Sequence, residues 1–156
     1  MIRLIAAIDN RRGIAKEGRI PWNLTIDKAR FRKLTLEHGA NVLMGSTTYN
    51  QMGEYLVDKH VYVASHKQIK LPTGITAIND LDMFIANFKK DIWVIGGAAI
   101  YQACIRYADE LYLTVVDQDF HCDQFFPDYR DFKLSKLDGP YHENGINFSY
   151  QLLIRF

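Results

Sequence analysis

The chain of 156 residues has only two cysteines, Cys104 and Cys122. They form no CxxC pair and no Cys/His set with zinc spacing, which excludes a disulfide framework and a structural metal centre. The histidines, His38, His60, His66, His121 and His142, share no motif, so no metal is expected. Charge of one sign is equally scarce. Nineteen basic residues face 18 acidic ones, net +1, with no long block of either. That balance argues against nucleic acid or an anionic membrane as partner. No apolar run approaches the roughly 20 residues that span a bilayer. The apolar start, "MIRLIAAIDN", ends at Asp9 without a cleavage site. The expected setting is soluble, reducing and cytoplasmic. Also missing are G-x-S-x-G and any other serine-nucleophile pattern, the G-x-G-x-x-G dinucleotide fingerprint, internal repeats, low-complexity tracts and linkers.

The hydrophobic content, 48%, is that of an ordinary globular chain, and the length suits one domain over 1–156 with one real core. Short β-branched runs alternate with helical patterns. The runs 3–8, 41–45, 60–65, 74–79, 91–97 and 110–117 read as strands, and their near-continuous apolarity suits a sheet covered on both faces. The stretches 25–36, 47–52, 80–88 and 98–106 read as helices. Asn79 is the expected N-cap of the third, which carries Leu81, Phe84, Ile85 and Phe88 at helical spacing. Such alternation implies right-handed crossovers and a mainly parallel α/β sheet. The last third differs. "FKLSKL" and "INFSYQLLIRF", joined by the turn-rich "DGPYHENG", read as an antiparallel hairpin at one edge. Cys104 reads as packed in its helix and Cys122 as an exposed loop thiol.

Two strands run into glycine and then a helix: "VLMGSTTY" (42–49) and "VIGGAAIY" (94–101). Glycine permits close approach to the backbone, and a helix start presents free N–H groups that favour an anion. Two such turns in one small sheet suit the two phosphates of a dinucleotide, with hydroxyls from Ser46, Thr47 and Thr48 beside the first. Each turn alone also reads as plain helix capping.

In "IPWNLTIDKARFRKL" (20–34), Leu24, Phe31 and Leu34 form one apolar stripe, and Asp27 falls on it. A carboxylate is favoured in a first helical turn by the helix dipole. On an apolar face it must instead find a partner or shift its pKa, which makes it a candidate proton handler or an anchor for a cationic, N–H-rich ligand. Trp22, Leu24 and Phe31 would wall a slot for a planar heterocycle. Arg30, Arg32 and Lys33 are expected to point mostly elsewhere. The preceding loop, 9–18, reads either as a mobile lid or as a solvated loop.

Taken in order, "LIAAID", "GIAKEGRIPWNLTIDKARF", "VLMGSTTYNQMG", "VIGGAAIYQ", "LYLTVVD", "FFPDY" and "INFSYQLL" resemble the dihydrofolate reductase family through nearly the whole chain. The resemblance implies an eight-stranded mixed sheet, mainly parallel with an antiparallel C-terminal edge, flanked by four helices. It implies reduction of 7,8-dihydrofolate to tetrahydrofolate, with hydride passing from NADPH to C6 and a proton to N5. Matched position by position, Asp27 becomes the pocket acid that pairs with N3 and the 2-amino group of the pterin, supported by a hydrogen bond from Thr114. Trp22 would hold a water near it. Ile5, Ala7, Lys28, Phe31, Met52, Leu56, Lys59 and Ile95 match substrate-lining positions. Ala7, Ile14, Ala15, Ile20 and Tyr101 match the nicotinamide side of the cofactor site. Gly45, Ser46, Thr47, Thr48, Gly96, Gly97, Ala98, Ala99 and Ile100 match its diphosphate side, and Ser65, His66 and Lys67 lie toward the 2′-phosphate. The Gly96–Gly97 bond would be cis, and Asp123 would brace the lid.

Several positions depart from the family pattern. Ser46 replaces a cation that usually meets the 2′-phosphate, a deficit that His66 and Lys67 would offset. Lys59 replaces an arginine that clamps the substrate's glutamate, and an ammonium cannot form the planar bidentate pair. Lys28 adds charge beside the benzoyl position, where it could meet the glutamate tail. It would also weaken antifolates such as trimethoprim, whose apolar tail lies there. Ala15 replaces a lid glycine, and Glu54 and Cys122 are also unusual. Two other readings compete: the NADPH-using pyrimidine reductase of riboflavin synthesis, and a non-catalytic nucleotide-binding protein. No exposed apolar stripe is evident, so a monomer is expected.

Overall fold

A computed structural model describes residues 1–156 except the side chain of Glu54, so that departure lies outside the described residues. The strands are β1 (Ile2–Ile8), β2 (Gly13–Ala15), β3 (Asn41–Gly45), β4 (His60–Ala64), β5 (Thr76–Ile78), β6 (Ile92–Val94), β7 (Glu110–Val116), β8 (Gln124–Phe125), β9 (Phe132–Glu143) and β10 (Ile146–Arg155). The helices are α1 (Thr25–Leu34), α2 (Ser46–Met52), α3 (Leu81–Asn87) and α4 (Ala98–Cys104), with 3₁₀ turns at Gly53–Leu56 and Ile105–Tyr107.

Eight strands form one sheet in the order β5-β4-β3-β6-β1-β7-β10-β9. The pairs from β5 through to β7 are parallel, and β10 runs antiparallel to both β7 and β9. The sheet is therefore mixed with an antiparallel C-terminal edge, as the family resemblance implied. Alternation along each strand sends neighbouring side chains to opposite faces. Leu4, Ala6 and Ile8 enter one apolar cluster, against which Leu81, Phe84 and Phe88 pack with α3. Ile5 enters the other, with Val42, Met44, Trp93 and Ile95 under Phe31 and Leu34 of α1. Both faces are covered, which is why the central strands carry no polar alternation.

The boundaries differ from the sequence reading in particular places. Asp80, not Asn79, caps α3, accepting from the Met83 N–H at 3.0 Å. The "DGPYHENG" stretch is mostly strand: β9 continues to Glu143, and only Asn144 and Gly145 turn. Pairing of Tyr141 with Phe148 and of Asp138 with Tyr150 overrides the turn propensity of Gly139 and Pro140, with a register shift between those pairs. The sequence reading also missed β2 and β8, a two-stranded antiparallel ribbon formed by the 9–18 loop and the 117–125 segment. Three and two residues are too few to show a period. Cys122 is half-buried beside Asp9 rather than exposed, and burial pushes its thiol up to about 11.

This topology decides where a ligand can sit. The strands β3, β6 and β1 are adjacent and parallel, and both glycine turns follow their carboxyl ends. Crevices at those ends are where open α/β sheets bind ligands.

Candidate active site

Helix α1 carries Asp27 in its first turn, half-buried. No side chain of its own segment caps that helix. The cap comes from the tip of the β9–β10 hairpin: the Glu143 carboxylate accepts from Thr25 N–H at 2.9 Å, Thr25 Oγ1 at 2.5 Å and Ile26 N–H at 3.0 Å. Asn144 adds a bond to the Asn23 carbonyl at 2.8 Å. The orientation of Asp27 is thus set by residues more than a hundred positions away.

The Asp27 carboxylate accepts from Thr114 Oγ1 at 2.6 Å. Burial pushes its pKa up, while the Thr114 hydroxyl and the Arg30 charge pull down and Glu143 pushes up; the net direction is upward. Asp27 opens on a cavity of about 420 Å³ lined also by Ala7, Arg19, Ile20, Trp22, Leu24, Lys28 and Gln51. Trp22 is buried and tilts against Phe120, 5.2 Å between ring centroids. Ala7, Ile20, Trp22 and Leu24 give the cavity apolar walls beside one carboxylate, a combination suited to a flat heterocycle with an N–H-rich edge.

Beyond it, Ile5 and Ile95 are buried, with Phe31, Met52 and Leu56 packed on the same cluster. Lys59 reaches this end. Its Nζ lies 5.4 Å from the Phe31 ring centre and donates to the Tyr55 carbonyl, and burial together with Arg32 lowers its pKa to about 8. Lys28 lines the cavity, where its Nζ holds Asn23 Oδ1 at 2.7 Å.

The two glycine turns meet. Gly45 N–H donates to the Gly96 carbonyl at 2.8 Å. The Gly96–Gly97 peptide is cis, as the resemblance implied. A Cβ on Gly96 would stand 3.3 Å from the Tyr101 hydroxyl and 3.5 Å from Thr48 Oγ1, so those two groups face the turn. Tyr101 is buried and donates to the Ile5 carbonyl at 2.7 Å; burial raises its pKa well above the ordinary phenol value. It is a neutral donor already committed to the backbone. Neither α2 nor α4 has a side-chain cap bond, and Ala98, Ala99 and Ile100 form the first turn of α4. Uncapped N–H groups, Thr47 and Thr48 beside them, and glycines that keep the approach clear fit a diphosphate. Ser46 opens α2, half-buried. His66 and Lys67 are exposed past β4, with the Lys67 N–H on Ser65 Oγ at 3.2 Å.

The 9–18 loop is held by hydrogen bonds at several points, while residues 10–12 and 16–18 are exposed. Glu17 N–H donates to Asp123 Oδ2 at 2.9 Å, and Asp123 N–H to the Ala15 carbonyl at 3.0 Å. Gln51 Nε2 bonds the Gly18 carbonyl at 2.9 Å. At the loop's root, burial would raise the Asp9 pKa, but N–H groups of Phe120, Arg11 and Gly13 outweigh it and hold the carboxyl low. Ile14 packs on the core and Ile20 lines the cavity.

Sequence reasoning missed Arg19, Gln51 and Glu143, because their contributions depend on loop and hairpin placement, which no local pattern records. It also did not anticipate the partner of Arg30. Its guanidinium carbon lies over Tyr150, 3.9 Å from the ring centre. The opposing aromatic belongs to β10, invisible to the helical period of α1. Among the described residues no group of His, Cys, Asp or Glu could hold a metal, and no helix is long and apolar enough to cross a membrane.

The family model described as dihydrofolate reductase matches residues 1–155. A curated dihydrofolate reductase of Bacillus subtilis is 33% identical over 131 residues, 83% of this chain and 77% of its own. The dihydrofolate reductase type 3 of Salmonella typhimurium is 32% identical over 152 residues, 96% of this chain and 93% of its own. The solved dihydrofolate reductase of Enterococcus faecalis, complexed with NADP(H) and RAB-propyl, superposes with a TM-score of 0.86 at 22% identity, covering 99% of this chain and 96% of that one.

Proposed function

The chain belongs to the dihydrofolate reductase family, and from that premise we propose how its cleft reduces 7,8-dihydrofolate to tetrahydrofolate with NADPH. The observation that carries the reading is Asp27: a carboxylate on the wall of an apolar cavity, braced by Thr114. Its two oxygens match the two N–H donors at N3 and the 2-amino group of a pterin, and charge-assisted pairs of this kind are the strong ones. Ile5, Ala7, Phe31, Met52, Leu56 and Ile95 enclose the rings, and Trp22 closes the inner wall while holding a water beside Asp27. Lys28 and Lys59 supply positive charge at the end where the glutamate tail leaves the slot.

Bound NADPH supplies hydride from C4 of its nicotinamide. The chain orients that ring against the pterin: Ala7, Ile14, Ala15 and Ile20 on one side, and the Gly96–Gly97 turn and Tyr101 on the other. Tyr101 acts by position, since its proton is engaged by the Ile5 carbonyl. Thr47, Thr48, Gly45 and the first turn of α4 (Ala98, Ala99 and Ile100) hold the diphosphate, and Ser46, Ser65, His66 and Lys67 face the adenosine end. Holding two rings face to face removes most of the orientational entropy of the barrier. Asp27 lies at the N3 edge, so it favours protonation of N5 electrostatically, and water delivers the proton. The loop braced by Asp123 keeps bulk water away from the hydride path.

Lys28 places charge where the apolar tail of an antifolate would run, so reduced trimethoprim sensitivity is part of this reading. The chain acts as a cytoplasmic monomer. Steady-state loss of NADPH absorbance with dihydrofolate tests the activity, with NADH as the comparison and Asp27→Asn as the control. Turnover unaltered by that substitution would overturn the assignment of Asp27.

A further inference from the structure

Near the Asp27 carboxylate, and not among the residues lining the cavity, is a group the sequence reading set aside. Arg30 follows Asp27 by one helical turn, and its guanidinium carbon sits 3.9 Å from the centre of the Tyr150 ring. Tyr150 is the register partner of Thr114, the residue that bonds Asp27. Aromatic neighbours fix the ring: Tyr141 at 5.4 Å and Phe148 at 5.8 Å between centroids. Tyr150 is buried, and its hydroxyl has no hydrogen-bond partner among the described residues. Phenylalanine would fill this space without burying a polar atom, so the useful part of the side chain here is its electron-rich face. No ion pair joins Arg30 to a described carboxylate, and its charge acts on Asp27 through space.

We propose that Arg30 is a positioning residue for the reaction: held over the Tyr150 ring, it supplies the fixed positive charge that keeps Asp27 in its anionic, pterin-binding form inside an apolar wall. The proposal deepens the reading of Asp27 given above and rests on it. A cation stacked on an aromatic face is partly shielded from water and restricted in rotamer, so its field reaches Asp27 with less screening than a free surface arginine would give. The other groups facing this pair are few. On α1, Lys28 is engaged by Asn23; before it, Arg19 lines the cavity with Asp27; on β9, Glu143 raises the Asp27 pKa, and Asp138 is bonded by Tyr141 at 2.8 Å; on β7, Thr114 is neutral; on β10, the Tyr150 phenol is itself pushed up, first by burial. Arg30 is the cation that opposes burial at Asp27, and Glu143 is the anion that adds to it. Two charges of opposite sign thus flank the carboxylate, one from its own helix and one from the hairpin that caps that helix.

The test is a carboxyl titration of the full chain, labelled with ¹³C-aspartate, the Asp27 signal being identified by its loss in Asp27→Asn. Arg30→Met is expected to raise the Asp27 midpoint by about one pH unit and to move the kcat/KM profile for dihydrofolate the same way. Arg30→Lys should recover most of the shift. Tyr150→Phe, which keeps the platform, should leave the midpoint in place, and Tyr150→Leu should raise it. If Arg30→Met does not fold, Arg30→Gln is titrated instead. An unmoved midpoint in the folded charge-removing variant overturns the proposal, as does a Tyr150→Phe shift as large as that of Arg30→Met. Because the titration needs no substrate, a wild-type chain that fails to reduce dihydrofolate would refute the functional reading without touching this result.

Discussion

Thr114 donates its hydroxyl to Asp27 at 2.6 Å, joining the middle of β7 to the first turn of α1 across 87 residues of chain. A hydrogen bond to a charged group contributes about 1.5–3 kcal/mol. Thr114→Val keeps the shape and removes the donor. We expect kcat/KM for dihydrofolate to fall about 10- to 100-fold at neutral pH, and the Asp27 midpoint to rise. Steady-state kinetics across pH checks both, and an unchanged profile would separate Thr114 from the site.

Asp27 itself should weaken the fold while serving the reaction. Its folded pKa is raised above the unfolded value, chiefly by burial. The native state therefore binds the proton more tightly, and stability is lost as pH rises through the window from the unfolded to the folded pKa. Asp27→Asn should then melt higher at neutral pH. The gain should vanish in acid, below the ordinary carboxylate range. Turnover of the same variant should be largely lost at pH 7 and partly recovered at low pH, where the substrate carries more of its own proton. Thermal melts and turnover at matched pH values test the pair of effects.

Lys59 should make substrate affinity depend on pH. Its pKa is lowered to about 8, first by burial and then by Arg32. The ammonium is present below that value and is lost above it. KM for dihydrofolate should therefore rise between about pH 7 and 9. Lys59→Arg should flatten this rise, because a guanidinium stays charged and offers a bidentate fork to the glutamate carboxylate. An identical KM profile in the two proteins would place the tail elsewhere.

Glu143 caps α1 from the hairpin tip, and its pKa is lowered first by the Thr25 hydroxyl and then by the Ile26 and Thr25 amides. Glu143→Ala should speed hydrogen exchange at the Thr25 and Ile26 amides and lower the melting temperature. It should also lower the Asp27 midpoint by removing a like charge, opposite in sign to the effect of Arg30→Met. Exchange measured by NMR with the carboxyl titration checks both.

Gly96 has φ +125°, a region that L side chains rarely adopt. A Cβ there would also press on the Tyr101 hydroxyl. Gly96→Ala should weaken NADPH binding by about 5- to 150-fold, taking the strain of such a position as about 1–3 kcal/mol. Fluorescence titration with NADPH on folded protein measures it.

Much of this was legible in the order of residues. Strands buried on both faces announce themselves by unbroken apolar runs, and the runs at 3–8, 41–45, 60–65 and 110–117 agree with β1, β3, β4 and β7 to within one residue at either end. The glycine turns were visible as strand–glycine–helix junctions, and Asp27 was visible because a carboxylate on an apolar stripe violates the pattern around it. These are local statements, and the chain makes them by itself. Asp80 in place of Asn79, the continuation of β9 through Gly139 and Pro140, and the β2–β8 ribbon were decided by pairing with distant segments. The same is true of the charge around Asp27. Residue order supplied the acid, but Thr114, Glu143 and the Tyr150 ring that holds Arg30 come from three different strands. Electrostatic interaction depends on distance in space and on what lies between, neither of which a one-dimensional spacing contains, so the folded sheet alone decided how that carboxylate is held and which charges act on it.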